Sequence, residues 1–377
     1  MSIMKKLGLN KVINAAGYQT VWGGSLMPSD VVEAMIEASK QFTDLRAMLD
    51  SAGDYIAAAT YNEAAFITGG AAAGIQTAAA ACMTRGNRHE VIKFPEVNNR
   101  EIIMYTSQRN PYDVVLRSVG TRLCTIGLAN RTNTLELEAS ITSETAAIFY
   151  CLFSGQHKIR EASLSLEETI EVAHANQVPV ILDAAGQIPP ISSLWNYTRM
   201  GVDLVIFSGG KGLRGPQSSG LILGKKEMVD WCKMIGFPQS TCLRSLKISK
   251  EDVAGLVAAI DRALSLDEEA LIETYEAIVE DIVLSINALD LDGVQGSRLF
   301  PNQSGQPVPA AVVRFVQPNG VELRNRVVSD LQYGDPQIVV RLHGVDGLAV
   351  YPVTLHEEEG SIVSSRLAEV VSSILSP

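Results

Sequence analysis

The sequence predicts an α/β protein: a large domain built on a mostly parallel sheet covered by helices, then a smaller α+β domain at the C-terminal end. Three observations carry this. Short apolar segments alternate with helical ones through the first two-thirds of the chain. One helical stretch, "SLSLEETIEVAHANQ", runs straight into the apolar strand "VPVILDA", as a βαβ unit requires. Past about residue 240 the texture changes to long amphipathic helices and a few strands, and 377 residues suit two domains.

The elements follow in chain order. Residues 28–49 have helical spacing, with a Ser29 or Asp30 cap after Pro28. Residues 63–67 lead into "TGGAAAG" and an alanine-rich helix. The segments "EVIKF", "EIIMY", "TRLCTIG", "TAAIFYCLF", "PVILDAA" and "DLVIFSG" read as strands. The helix beginning at Leu166 has a Ser165 cap and acids in its first turn. Residues 249–289 form one or two long helices capped by Ser249, with Asp252 three positions on. The strands "AAVVRFV", "IVVRLHG" and "LAVYPVTL" and a last helix near "SSRLAEVVSSIL" complete the small domain. The expected boundaries are a large domain over 51–245 and a small one over 246–377.

Bulk properties narrow the function. The formal charge of −11 and pI near 5.1 argue against a nucleic-acid surface, which needs a basic stripe. No apolar run reaches the ~20 residues of a membrane span, and the N-terminus reads as no signal peptide. Five scattered cysteines without a CxxC pair point to reduced packing thiols and a cytoplasmic protein. His89, His157, His174, His343 and His356 show no metal spacing. The expectation is an enzyme acting on a small molecule, with neither nucleic acid nor membrane as partner.

Three features fall at strand ends on one rim of the sheet, where open α/β sheets bind ligands. In the first, Thr68 to Gly74, residues Gly69, Gly70 and Ala71 open a helix with side chains small enough for a phosphate to reach unpaired backbone N–H groups. The competing reading is a close helix contact. Asp183 ends an apolar run, and a desolvated carboxylate calls for a cation or donor; the alternative is capping of the next turn. Lys211 ends the following strand inside "SGGKG", where an amine loses solvation and becomes a nucleophile of depressed pKa; the alternative is a surface lysine. Together they match the pattern that holds pyridoxal phosphate: phosphate on the helix start, Asp183 on the pyridine nitrogen, Lys211 as a Schiff base. Ser208 is spaced to add a hydroxyl to the phosphate. A nicotinamide site is disfavoured, because "TGGAAAG" lacks the GxGxxG spacing.

The motifs "INAAGYQTVWGGSLMP", "FITGGAAAG", "QRNPYD", "ILDAAGQIPP" and "DLVIFSGGKGLRGPQSSGLILG" resemble the fold-type-I (aspartate aminotransferase-like) pyridoxal-phosphate enzymes of the L-seryl-tRNA(Sec) selenium transferase-like family. The similarity is greatest to its short, tRNA-independent branch, the D-glucosaminate-6-phosphate ammonia-lyase-like proteins. It spans most of residues 12–225 and, more weakly, the small domain. The resemblance implies Lys211 as the Schiff-base lysine and Asp183 as the partner of the ring nitrogen. It implies Gly69, Gly70, Ala71 and Ser208 as the phosphate site, with Gln187 near the ring. Gln108 stands where the family pattern has a ring-stacking histidine, and an amide cannot act as an acid or base near pH 7. The implied reaction is an α,β-elimination of ammonia-lyase or dehydratase type on a small amino acid or amino-sugar acid. Arg341, Arg214, Thr20 and Ser25 are the candidate substrate contacts. The resemblance also implies that residues 1–50 form an N-terminal segment contributing to the subunit interface of a homo-oligomer, where Trp22 is as readily an interface anchor as a substrate contact. The alternatives are a racemase or epimerase, which needs a second base not evident here, a selenium-transferase-like transferase, and a non-catalytic subunit on the same fold.

Overall fold

The computed structural model describes residues 3–152, 162–356 and 358–375. The predicted α/β class holds. Contacts divide the chain into a larger unit, Ser25–Leu266 with Gln303–Gly305, and a smaller one, Met1–Gly24, Asp267–Asn302 and Gln306–Pro377.

Strand β1 (Val12–Asn14) belongs to the smaller unit. The larger unit holds β2 (Ala64–Thr68), β3 (Glu101–Tyr105), β4 (Arg122–Ile126), β5 (Thr145–Cys151), β6 (Val180–Asp183), β7 (Leu204–Ser208) and β8 (Gly220–Gly224). These form one sheet in the order β2-β8-β7-β6-β5-β3-β4. Neighbours from β7 to β4 are parallel, whereas β8 is antiparallel to both β7 and β2. The carboxyl ends of β2, β3, β5, β6 and β7 therefore share one edge.

Side chains leave both faces of this sheet into packed cores. Ile103 and Tyr105 of β3 enter one, and Ile102 and Met104 enter the other. Burial on both faces is what a parallel sheet demands. The helix Ala71–Thr84 crosses the second face with Ala78 to Ala81 fully buried. Only small side chains let a helix lie that close: a Cβ on Gly74 would stand 3.0 Å from Ile206 Cγ2.

Several expectations hold at the level of single bonds. Ser165 and Glu168 form a reciprocal capping box ahead of the helix Leu166–Ala175. Ser249 Oγ accepts from Asp252 N at 3.0 Å, starting the helix Lys250–Leu264. The long helical stretch is two helices, the second being Glu268–Asn287.

Others are corrected. "EVIKF" is not a strand: Asn87 accepts from His89 N and Glu90 N and starts the helix Arg88–Lys93. Residues 28–49 form two helices, Ser29–Ser39 and Leu45–Ala59, the second capped by Asp44. Pro28 is the first cap, and Asp30 binds only Val31 N. Contacts group the helix Lys250–Leu264 with the larger unit, where Leu256 and Ile260 pack into its core.

In the smaller unit, β9 (Val294–Leu299), β10 (Ala310–Phe315), β12 (Arg341–His343) and β13 (Gly347–Val350) form an antiparallel sheet, ordered β12-β13-β10-β9. The expected strand "IVVRLHG" is in fact two. Its first part, β11 (Gln337–Val339), pairs in parallel with β1, and Arg341–His343 turns to β13. The last helix, Glu359–Leu375, closes this unit's core through Val363, Leu367, Val370 and Val371.

Candidate active site

Asp183 is the last residue of β6 and stands in register with Cys151 at the end of β5 and Ile206 in β7. Its Oδ1 accepts from Ala185 N at 3.0 Å, so the carboxylate does cap its own turn. Its Oδ2 faces Cys151 Sγ at 3.8 Å. Burial pushes the Asp183 carboxyl above its ordinary pKa, and the Lys211 charge, the Ala185 N–H and the Cys151 thiol pull part of the way back. The residue as a whole is half-buried at this edge.

Lys211 follows β7 by three residues and reaches over the turn after Asp183. Its Nζ lies 3.8 Å from where a Cβ on Gly186 would stand. The glycines around it are needed for close approach rather than for a left-handed backbone. A Cβ on Gly209 would meet Ser219 Oγ at 1.9 Å, and one on Gly212 would meet Ile188 O at 2.0 Å. Arg214 is the residue of this turn with positive φ, 56°.

At the next strand ends, Gly70 starts the helix Ala71–Thr84 with φ 108°, and no side chain caps that helix. The first-turn N–H groups are thus left to a ligand or to water. Thr68 and Ser208 both stand in register with Gly220, which begins β8 between them. A Cβ on Gly69 would stand 3.0 Å from Lys247 O, so the loop Leu246–Lys247 lies over it.

Gln108 and Gln187 are both buried. Gln108 Oε1 accepts from Cys151 N at 2.8 Å, and its Nε2 donates to Ser163 Oγ at 3.2 Å. Gln187 Nε2 donates to Leu152 O at 2.7 Å and Ser304 O at 3.3 Å. Both amides tie strand-end loops together. Ser25 Oγ donates to Gly210 O at 3.0 Å, next to Lys211, and Arg214 Nε donates to Leu26 O at 3.1 Å. Segment 25–26 is stitched to the lysine turn from both sides.

Thr20 and Arg341 belong to the smaller unit. Thr20 is exposed in a 3-10 turn, Thr20–Trp22. The Arg341 guanidinium lies 5.6 Å above the Tyr351 ring. His174 pairs with the buried Asp203, which also binds Lys225 Nζ at 2.6 Å and Val180 N at 2.7 Å, a structural network. His157 lies outside the described residues. Among the described residues no cluster of His, Cys, Asp and Glu could hold a metal, and no helix is long and apolar enough to cross a membrane.

Four neighbours of the candidate residues do not stand out in the sequence. Gly220, Cys151 and Asn110 are placed by strand register and by loop contacts that spacing does not encode. Ser107, one residue before Gln108, keeps a buried hydroxyl with no hydrogen-bond partner among the described residues.

This architecture defines a class, the fold-type-I pyridoxal-phosphate enzymes. A serine palmitoyltransferase from S. paucimobilis, solved with bound PLP, matches with a TM-score of 0.61 over 96% of this chain and 88% of its own. At 11% identity that likeness concerns the fold alone. The chain belongs to the L-seryl-tRNA selenium transferase (SelA) family, whose model matches residues 12–282. It is 30% identical to a D-glucosaminate-6-phosphate ammonia lyase of Salmonella typhimurium (strain 14028s) over 98% of both chains. A solved structure of D-glucosaminate-6-phosphate ammonia-lyase matches with a TM-score of 0.83 and 28% identity, covering 99% of both chains.

Proposed function

We propose that this protein is a pyridoxal-phosphate-dependent lyase that carries out α,β-elimination on a small amino acid or amino-sugar acid, of which D-glucosaminate-6-phosphate is the first to test. The observation that carries the reading is the pair Asp183 and Lys211, an enclosed carboxylate and an amine close enough to shift its ionisation, on adjacent strand ends. The choice of substrate rests on the full-length likeness to the Salmonella ammonia lyase.

The residues present fit the cofactor. The helix start at Gly70 has no side-chain cap, and Ser208 ends the strand beside it, in register with Gly220. Gly69, Gly70, Ala71 and Ser208 would hold the phosphate, as at other helix N-termini. Asp183 would hold the ring nitrogen, and Lys211 would bind covalently through Nζ. Gln108 and Gln187 would fix the loops around the ring. When bound, pyridoxal phosphate supplies an electron sink for negative charge at the Cα of an amine substrate.

This chain's own residues supply the rest. An ionised Asp183 would favour a protonated ring nitrogen. Lys211 Nζ would take the proton from the substrate's Cα as general base and pass it, as general acid, to the departing β-hydroxyl, so that water leaves and the released enamine hydrolyses to ketoacid and ammonia. Arg341 would take the substrate carboxylate in a two-pronged hydrogen bond. Arg214 has its Nε committed to Leu26, which leaves its terminal nitrogens for a substrate phosphate. Thr20 and Ser25 complete the proposed contacts. The exposed apolar side chains Leu26, Met27, Ile36 and Phe42 support a homo-oligomer, and five free cysteines support a cytoplasmic location.

The test is an absorption spectrum of the purified protein with added pyridoxal phosphate, followed by incubation with D-glucosaminate-6-phosphate. A visible band and matched release of ammonia and ketoacid are expected. A protein that stays colourless overturns the cofactor. A coloured protein that racemises amino acids without releasing ammonia overturns the elimination.

A further inference from the structure

We propose that Cys151 is a positioning residue for Asp183: its thiol, held by Asn110, donates to one carboxylate oxygen and fixes the direction in which the other faces. The geometry stands by itself; its consequence for cofactor binding rests on the function proposed above.

Parallel pairing of β5 with β6 sets Cys151 and Asp183 side by side at the sheet edge, with Sγ 3.8 Å from Oδ2. Asn110 Nδ2 donates to the same sulfur at 3.5 Å and to Gln108 O at 3.0 Å. Gln108 Oε1 closes the ring by accepting from Cys151 N at 2.8 Å. The sulfur thus receives one hydrogen bond from Asn110, which leaves its own hydrogen to be given away. Asp183 is the acceptor beside it, since Oδ1 is already taken by Ala185 N. Burial and the Asp183 charge hold the thiol well above its ordinary pKa, so it stays protonated as a donor. A packing cysteine needs none of these partners. A donor to a desolvated carboxylate favours its charged form, the form needed opposite a protonated ring nitrogen.

The direct test is the infrared S–H stretching band of Cys151, isolated from the full-length, cofactor-free protein by subtracting the spectrum of Cys151→Ala. The four other cysteines cancel, and Cys151→Ser serves as the reference if the alanine variant folds poorly. The expected result is a band at the low frequency of a hydrogen-bonded thiol, which rises in Asp183→Asn. A band that Asp183→Asn leaves unmoved overturns the proposal. Affinity for pyridoxal phosphate supplies a second reading. Cys151→Ala should bind about fivefold more weakly, and Cys151→Ser should recover part of that loss. Equal losses in both variants would make Cys151 a packing residue and overturn the proposal. Wild-type protein that binds no pyridoxal phosphate would overturn the function proposed above, and the infrared band alone would then decide this one.

Discussion

Gly220 lies so close to Gly70 that a Cβ on Gly220 would stand 2.4 Å from the Gly70 carbonyl carbon and 2.7 Å from Ala71 N. No ordinary side-chain contact is that short, so this one missing methyl sets how near the helix start comes to Ser208. Gly220→Ala should push the Gly70 loop outward. The expected cost is about 1–3 kcal/mol of stability and a loss of about tenfold or more in pyridoxal-phosphate affinity. Denaturant unfolding and cofactor titration measure the two; unchanged affinity would dissociate this loop from the cofactor.

Asp183→Asn should make the cofactor-free protein more stable at pH 7. The folded state raises the Asp183 pKa above its ordinary 3.8, so the folded chain holds this proton more tightly than the unfolded chain does. Its contribution therefore worsens as pH rises from the unfolded value through the folded one. Below pH 3.8 the proton is bound in both states, and the advantage of asparagine disappears. Melting curves at pH 7 and at low pH check the sign. The same variant should take up pyridoxal phosphate far less well, which is the trade-off expected of a functional rather than structural carboxylate.

Ser25→Ala removes the donor to Gly210 O, and Arg214→Ala removes the donor to Leu26 O. Each should cost about 1 kcal/mol. Because both bonds hold one segment to the lysine turn, the double variant should lose less than the sum. A double-mutant cycle in denaturant reports the coupling, and strict additivity would show that the two bonds act separately.

Much of the sheet was legible because burial and local bonds agree there. The runs ending in Asp183 and Ser208 are apolar and short, and Ser165 and Ser249 cap the helices they precede. "EVIKF" was misread because its apolar pattern fits a strand, while the Asn87 cap just before it decides for a helix. "IVVRLHG" looks continuous, yet the chain changes sheets at Val340, a choice made by β1, more than 300 residues earlier. Lys211, Asp183 and Gly70 stand out in the sequence because each is a residue type out of place at the end of an apolar run. Gly220, Cys151 and Asn110 do not. A glycine, a cysteine and an asparagine carry no such signal until strand register sets them against Gly70 and Asp183.

The central claim is that Lys211 carries the cofactor. Borohydride reduction of the protein incubated with pyridoxal phosphate, followed by peptide mass mapping, tests it most directly. The account predicts one stable pyridoxyl adduct, on Lys211, absent from Lys211→Ala. An adduct confined to another lysine, or none at all, would contradict it.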